Sequence, residues 1–160
     1  MRGILFRGKD KDDGNWYEGY YLQLNDTTYC CLPSDNAEEA NRLNKENEHH
    51  YIVFERMTDW GLPNKHLRAE VLPETVCQYT GLPDKNGRKI FEGDIVKTSQ
   101  YGVDDRNGHN YAGFDTFSVE FSDGGFCLKN KWRRFNLRPQ RDFEVIGNIF
   151  DNPELLEGSL

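Results

Sequence analysis

The sequence predicts a mainly β protein with an N-terminal antiparallel meander, one short helix and a C-terminal small β-barrel of the SH3-like type. Aromatic and β-branched runs recur along the chain, and clusters of Gly, Pro, Asn and Asp separate them, as expected for short strands joined by tight turns. Residues 117–122 alternate between apolar and polar side chains, which is typical of a half-buried strand. A helix-like stretch occurs at 36–48.

The composition predicts a small core that is rich in aromatic side chains. Of the 160 residues, 36% are hydrophobic and 13% are aromatic. A chain of this length buries roughly two-thirds of its unfolded surface, so a core can form without disulfides or bound metals. We expect much of the remaining chain to be loop and turn.

The charge excludes a protein that coats nucleic acid with a broadly basic surface. The formal net charge is -7, so any site for a polyanion has to be local. The chain has no apolar run long enough to span a membrane, and its N-terminus becomes charged within a few residues. We therefore expect a cytoplasmic protein of the host cell without a membrane partner.

The cysteines do not predict a metal site. Cys30, Cys31, Cys77 and Cys127 form no C-x-x-C pair and are expected to stay reduced in a cytoplasmic chain. Their spacing from the four histidines matches no zinc pattern. We predict neither a metal nor a cofactor.

The first part of the chain predicts a meander of three strands. The strands are expected at 3–7, 15–24 and 27–32, with Gly, Asn and Asp at the turns between them. In the second strand, Trp16 and Tyr20 lie on one face and Tyr17 and Tyr21 on the other.

The middle of the chain predicts a helix and further strands. The helix at 36–48 has acids in its first turn and a weak apolar stripe, so we expect it on the surface. Strands are expected at 51–56 and 67–72, and the loop 57–65 carries Trp60 near its tip. We assign residues 1–72 to an N-terminal lobe, within which 33–66 is a variable insertion.

The remainder, 73–160, is assigned to the small barrel. Five short strands are expected, at 75–79, 94–99, 116–121, 126–129 and 142–148. Residues 100–113 are polar and Gly-rich without periodicity, which predicts a long surface loop. A helical turn is expected at 153–156.

The most distinctive segment is 78–97, QYTGLPDKNGRKIFEGDIVK. Pro83 sets φ, Asp84 and Asn86 can bond their own backbone, and Gly87 tolerates a positive φ, so the segment predicts the corner of a hairpin. On this interpretation, Asp84, Asp94 and the glycines of the segment 78–97 serve to turn the chain.

Two blocks of this sequence resemble the YopX family of phage and prophage proteins. The first comprises QYTG, DKNG and EGDIV within 78–96, and the second comprises VIGNI and NPELL within 145–156. With the N-terminal strand ILFR, the resemblance covers about residues 75–156 and the extreme N-terminus. It implies a phage or prophage origin and a β-barrel domain, and it implies no catalytic residue.

Glu92 and Asp94 are the candidate catalytic carboxylates. If the segment is extended, their side chains leave the same face and could act as an acid–base or metal pair. No histidine or third acid lies at a spacing that completes such a site. We favour a turn-stabilising role for them, and we expect a protein without enzymatic activity.

A basic segment at 129–141 is the sharpest anomaly in this acidic chain. It contains no acid, and its cations are interleaved with Trp132 and Phe135. Such segments suit single-stranded nucleic acid, because guanidinium groups bind phosphates and aromatic rings stack on bases. The candidate residues are Lys129, Lys131, Trp132, Arg133, Arg134, Arg138 and Arg141. Alternatively, the cations pair with acidic loops and the two rings belong to the core.

The preferred function is an accessory protein-interaction module. A compact β scaffold with exposed aromatic residues at Trp16, Tyr17, Tyr21 and Trp60 would bind a phage or host protein, or a second copy of itself. Single-stranded nucleic-acid binding and an enzyme built on Glu92 and Asp94 are the two alternatives.

Overall fold

The computed structural model describes residues 4–29, 37–103, 110–139 and 142–157. Their strands and helices are, in chain order, β1 (Phe6–Lys9), β2 (Trp16–Asn25), α1 (Ala37–Glu46), β3 (Glu48–Arg56), β4 (Lys65–Glu70), β5 (Cys77–Pro83), β6 (Lys89–Phe91), β7 (Asp94–Val103), β8 (Asn110–Ser122), β9 (Gly125–Lys129), β10 (Arg134–Asn136), β11 (Glu144–Asn148) and α2 (Glu154–Glu157). The prediction of a mainly β protein with antiparallel sheets and one short helix at 36–48 is confirmed, and the terminal helical turn forms as α2.

The chain separates into two compact units, an N-terminal unit of Leu5–Val76 and a C-terminal unit that begins at Cys77 and also includes Ile4. In the N-terminal unit, the strands pair antiparallel in the order β4-β3-β2-β1. The segment at 33–66 thus supplies β3, which pairs with β2 on one side and β4 on the other.

The prediction of a third meander strand at 27–32 is wrong for the residues that the structure describes there. Residues 27–29 have no strand conformation, and 30–32 lie outside the described residues. The partner of β2 is β3, in the register Tyr21↔Ile52. β3 brings Ile52 to this sheet, and the side chain of Ile52 is fully buried there.

The core of the N-terminal unit is small. Ile52, Ala69 and Val71 are buried, and mainly aromatic residues pack around them. Gly19 allows the close approach of β2 and β3, since a Cβ at this position would lie 2.1 Å from the carbonyl oxygen of Val53. A side chain at this position of β2 is therefore incompatible with the observed pairing.

The C-terminal unit contains a five-stranded antiparallel sheet in the order β10-β9-β8-β7-β11, and β5 and β6 form a hairpin. Phe117, Val119 and Leu128 are fully buried in its core. The strand predicted at 116–121 forms as part of β8, but burial does not alternate along it, since Ser118 is buried between Phe117 and Val119 and Phe121 is 52% exposed. The pairings of the described strands give an open order with β10 and β11 at its edges, so the closed barrel stays a prediction.

The long surface loop predicted at 100–113 is wrong. β7 continues to Val103, β8 begins at Asn110, and the two pair without interruption from Val103↔Asn110 to Ile95↔Ser118. The backbone ladder holds this ribbon together, so the strands need no apolar periodicity at their ends. Residues 104–109 lie outside the described part of the chain.

Helix α1 buries Ala40 and leaves most of its other residues exposed, in agreement with the weak stripe in the sequence. Within the described residues, no helix is long and apolar enough to cross a membrane.

Candidate functional site

The distinctive segment 78–97 forms a buried turn around Asp84. Asp84 is 6% exposed, and its Oδ1 accepts hydrogen bonds from the N–H groups of Asn86 at 2.8 Å and Arg88 at 2.9 Å. Its Oδ2 accepts a third from the N–H of Val145 at 3.1 Å. Gly87 completes the turn with a φ of 82°. One carboxylate therefore closes the β5–β6 hairpin and attaches it to β11.

The burial and the hydrogen bonds of Asp84 determine the direction in which its pKa is shifted. Burial raises the pKa of Asp84, but the hydrogen bonds from Val145, Arg88 and Asn86 outweigh burial, so the pKa lies below its ordinary value. A carboxylate that is held ionised by backbone donors stabilises a fold and is poorly suited to proton transfer near neutral pH.

The chain turns between Glu92 and Asp94, so the extended geometry expected for this pair is wrong. Glu92 and Gly93 connect β6 to β7, and Gly93 has a φ of 74°. Asp94 is fully buried at 0% exposure, and its Oδ2 accepts a hydrogen bond from the N–H of Phe91 at 2.7 Å. Asp94 therefore stabilises the turn.

The basic segment contains several separate ion pairs. Lys129 faces Glu120 at 3.1 Å, Arg133 faces Asp115 at 3.7 Å, and Arg134 faces Asp123 at 3.2 Å. Exposed pairs of this kind contribute roughly 0–1 kcal/mol and exchange readily with solvent. They reduce the net positive field of the segment without hiding its cations.

The rings of the basic segment have different environments. Trp132 is 71% exposed, and the ammonium of Lys131 lies 4.9 Å from the centre of its ring. Phe135 packs edge-on against Phe117 with the ring centres 5.0 Å apart and is 38% exposed, so it lies at the margin of the core. Arg138 is exposed, and Arg141 lies outside the described residues.

Three of the four aromatic residues expected on the surface are partly buried, and that expectation is wrong for them. Tyr17 stacks on Phe54 with ring centres 5.0 Å apart, and Tyr21 contacts Phe6 at 5.5 Å. Trp16 is also partly buried. Tyr17 and Tyr21 lie on the face of β2 that covers the core.

Trp60 is the exposed aromatic residue of the four, at 94% of its surface. Met57 and Leu62, in the same β3–β4 loop, are 77% and 59% exposed. We call these three side chains the apolar knob. The sequence predicts the loop and the position of Trp60 near its tip. It does not predict that Met57 and Leu62 are exposed, because the sequence of a loop does not reveal whether another part of the fold covers its apolar side chains.

The loop that carries the knob is ordered by its own hydrogen bonds. The Oδ1 of Asp59 accepts from the N–H of Trp60 at 2.7 Å, and its carbonyl accepts from the N–H of Leu62 at 3.1 Å. The Oγ1 of Thr58 donates to the carbonyl of Pro63 at 3.0 Å. Since the backbone is already organised, the knob loses little conformational freedom on binding.

A groove of about 630 Å³ opens on the C-terminal unit, which we call the C-terminal groove. Its apolar lining includes Leu82, Phe121, Phe126 and Leu137, and Gly125 forms part of its wall. The volume is in the range of roughly 300–1,000 Å³ that is usual for ligand pockets.

A charged cluster joins the end of β2 to β4 in the N-terminal unit. The ring of His49 lies between Asp26, at 3.2 Å, and Glu70, at 2.9 Å, and Lys11 contacts Glu70 at 3.2 Å. The hydrogen bond to Glu70, opposed by burial and helped by Asp26, raises the pKa of His49. The bonds from His49 and Lys11 lower the pKa of Glu70.

A neighbouring chain of polar groups connects Tyr21, His50 and Glu48. The hydroxyl of Tyr21 lies 2.6 Å from Nδ1 of His50, and Nε2 of His50 lies 2.8 Å from Glu48. Burial, followed by the charge of Glu48, raises the pKa of Tyr21. The phenol therefore stays protonated and is suited to hold the ring of His50 in place.

The described thiols and acids offer no site for a metal. Cys77 and Cys127 are buried free thiols. Among the described residues, no group of three or more His, Cys, Asp or Glu side chains is arranged so that it could hold a metal ion. Cys30 and Cys31 lie outside that part of the chain.

Comparison with known proteins gives a fold and a family. No curated protein matches this chain. The crystal structure of protein EF1440 from Enterococcus faecalis is similar, with a TM-score of 0.50 and 21% identity over 98% of this chain and 99% of that one, which supports the likeness in fold alone. The family described as YopX protein matches residues 5–157. The match covers nearly the whole sequence, and the chain therefore belongs to the YopX protein family.

Proposed function

We propose that this protein is a non-enzymatic protein-interaction module that binds its partner through the apolar knob. The observation that carries the proposal is the 94% exposure of Trp60 on a loop that its own hydrogen bonds organise. Large exposed apolar side chains that cluster on one loop mark interaction sites. Tryptophan is also among the residues most enriched at the energetic centres of interfaces.

The knob is large enough to dominate a modest interface. Truncation of a buried interfacial tryptophan typically costs about 2 kcal/mol or more, which corresponds to roughly a 30-fold loss in affinity. Trp60→Ala should therefore remove most of the binding and leave the fold intact, because the ring contributes little to the core.

Quantitative capture from a lysate of prophage-carrying bacteria tests this proposal. Immobilised wild-type protein and Trp60→Ala are compared by mass spectrometry. Trp132→Ala is the matched control, since Trp132 is also a surface tryptophan, exposed to 71%. We expect specific partners to be lost with Trp60→Ala and retained with Trp132→Ala. Identical captured sets for all three proteins would contradict the proposal.

We also infer that the protein is a phage or prophage gene product with an accessory role in the cytoplasm of the host cell. Membership of the YopX family supports this origin. The scaffold that we infer for the C-terminal unit is the SH3-like barrel. Its support is the meandering antiparallel order of β7, β8, β9 and β10 around one buried core.

Single-stranded nucleic-acid binding is the second candidate, and the pairing of Trp132 with Lys131 favours it. An exposed ring with a cation 4.9 Å from its centre is suited to stack on a base while the ammonium contacts a phosphate. The arginines of the segment could exchange their surface carboxylates for phosphates, since such pairs are weak.

Fluorescence anisotropy with a labelled oligonucleotide tests the second candidate. Binding should weaken as salt increases, and log K should fall linearly with log salt. Trp132→Ala, and Arg133→Ala combined with Arg134→Ala, should each reduce affinity, while Trp60→Ala should not. Absence of binding at low salt would remove this candidate.

A further inference from the structure

We infer that Met57 is a modification site at which hydrogen peroxide inactivates the apolar knob, and that reduction of the resulting methionine sulfoxide restores it. The inference rests on the proposed function, because it describes how the same knob is regulated. Three observations carry it. Met57 is exposed, the described cysteines are buried, and the side chain of Met57 is part of the knob.

Exposure makes Met57 the sulfur that peroxide reaches first. The structure describes three residues that contain sulfur. Met57 is 77% exposed, whereas Cys77 and Cys127 are 2% and 3% exposed. Oxidation of a sulfur follows its accessibility to solvent, so among the described residues Met57 should react first. The other methionine of the chain, Met1, lies outside the described residues.

The reaction transfers one oxygen atom and two electrons. The thioether sulfur of Met57 attacks one oxygen of the peroxide, the O–O bond breaks as the S–O bond forms, and the other oxygen leaves as water after proton transfer. The sulfur is oxidised and the peroxide is reduced. A methionine sulfoxide reductase reverses the change. It returns the sulfur to the thioether, oxidises two thiols to a disulfide, and releases the oxygen as water.

The product changes the chemistry of the knob. A thioether is apolar and adapts to irregular apolar surfaces, whereas a sulfoxide is polar and accepts hydrogen bonds. Met57 shares the β3–β4 loop with Trp60 and Leu62, so an interface centred on Trp60 would bury the sulfoxide as well. Burial of a polar group without a partner should weaken binding by roughly tenfold or more.

The loop should keep its shape when Met57 is oxidised. The Oγ1 of Thr58 donates to the carbonyl of Pro63 at 3.0 Å, and the carbonyl of Asp59 accepts from the N–H of Leu62 at 3.1 Å. These bonds do not use the side chain of Met57. Oxidation should therefore change the apolar surface of the knob and leave the melting temperature of the protein unchanged.

Two substitutions separate the oxidation of Met57 from other effects of peroxide. Met57→Leu keeps an apolar side chain of similar volume but has no sulfur at this position. It retains Trp60 and all four cysteines, so an effect of peroxide on those residues would appear in this variant too. Met57→Gln places a polar group on the knob without peroxide and should reduce binding by itself.

Peptide mass spectrometry of full-length protein treated with dilute hydrogen peroxide measures the modification. We expect the peptide that contains Met57 to gain one oxygen, about 16 Da, before the peptides that contain Cys77 or Cys127 are modified. Modification of these two cysteines ahead of Met57 would contradict the inference.

The lysate capture described above then measures the effect on binding. Each sample first receives dithiothreitol, which reduces disulfides and sulfenic acids and leaves methionine sulfoxide in place. Oxidised wild-type protein should capture the partners that depend on Trp60 roughly tenfold less than untreated protein does, and treatment with a methionine sulfoxide reductase should restore the capture. Peroxide should not change the capture by Met57→Leu.

The remaining outcomes separate this inference from the proposed function. If oxidised wild-type protein keeps its partners while Trp60→Ala loses them, the knob is the binding site and only its regulation by oxidation is wrong. An equal loss in oxidised wild type and oxidised Met57→Leu, or a lower melting temperature after oxidation, would also overturn the inference. If Trp60→Ala keeps every partner, the proposed function and the inference both fail.

Discussion

Asp84→Asn should destabilise the C-terminal unit by roughly 2–5 kcal/mol. The carboxylate receives two hydrogen bonds on Oδ1 and one on Oδ2, whereas an amide has one oxygen. If that oxygen stays with Asn86 and Arg88, the amide NH₂ faces the N–H of Val145. An unsatisfied buried donor costs about 1–3 kcal/mol, and the remaining two bonds lose roughly 0.5–1 kcal/mol each as they become neutral.

Urea unfolding measures this change. With a slope of about 2 kcal/mol per M, the midpoint of the transition should fall by roughly 1–2.5 M. Amide hydrogen exchange gives local evidence, since the N–H of Val145 should lose protection more than amides in the N-terminal unit. This readout holds even if the two units unfold separately.

Asp10→Asn is the matched control for this experiment. The Oδ1 of Asp10 also accepts two local N–H bonds, from Asp12 at 2.8 Å and Asp13 at 2.9 Å. These bonds lie within one turn, so the change should cost less than that at Asp84. A change of less than about 0.5 kcal/mol for Asp84→Asn, with unaltered exchange at Val145, would refute the reasoning.

Three further results are expected. The pKa of Asp84 is lower in the folded protein than in the unfolded chain. The stability that Asp84 contributes is therefore present above the unfolded pKa of about 3.9 and is lost as the pH falls through the folded pKa. In a plot of stability against pH, Asp84→Asn should lose less stability at acid pH than the wild type does. The pKa of His49 is raised in the folded protein, so its effect on stability runs in the opposite direction with pH. The stability that His49 contributes is complete below the unfolded pKa of about 6.5 and is lost as the pH rises through the folded pKa. Thermal melts at several pH values should show this loss for the wild type and not for His49→Gln. Gly19→Ala should destabilise the N-terminal unit by several kcal/mol, because its Cβ would lie 2.1 Å from the carbonyl oxygen of Val53 and the strands must separate; near-native circular dichroism and an unchanged melting temperature would contradict this account.

Local patterns predicted the parts of the fold that depend on neighbouring residues. The turn at Asp84 and Gly87 was predictable because a side chain that bonds its own backbone and a residue that tolerates positive φ act within a few positions of the chain. The strand at 117–122 was predictable for the same reason, since alternation of apolar and polar side chains favours an extended backbone, but the alternation did not predict that Ser118 is buried and Phe121 is exposed. The loop tip at Trp60 followed from the turn residues around it.

The errors concern features that depend on distant partners. Residues 100–103 form strand although the stretch 100–113 as a whole is polar and Gly-rich, because pairing with β8 supplies the backbone hydrogen bonds. Glu92 and Asp94 were expected on one face of an extended segment, but a turn lies between them. Tyr17 and Tyr21 were expected on the surface, and their face of β2 packs on β3 and β4 residues.

The sequence by itself determined the family, the mainly β class and the residues that turn the chain, because these properties are encoded in short motifs and local conformational preferences. Tertiary structure alone decided which surfaces are available for function. It placed Asp84 beneath the N–H of Val145 and left Trp60 uncovered. It also paired Lys129, Arg133 and Arg134 of the basic segment with three different carboxylates. Burial and exposure depend on which distant segments pack together, and the spacing of residues along a chain does not contain that information.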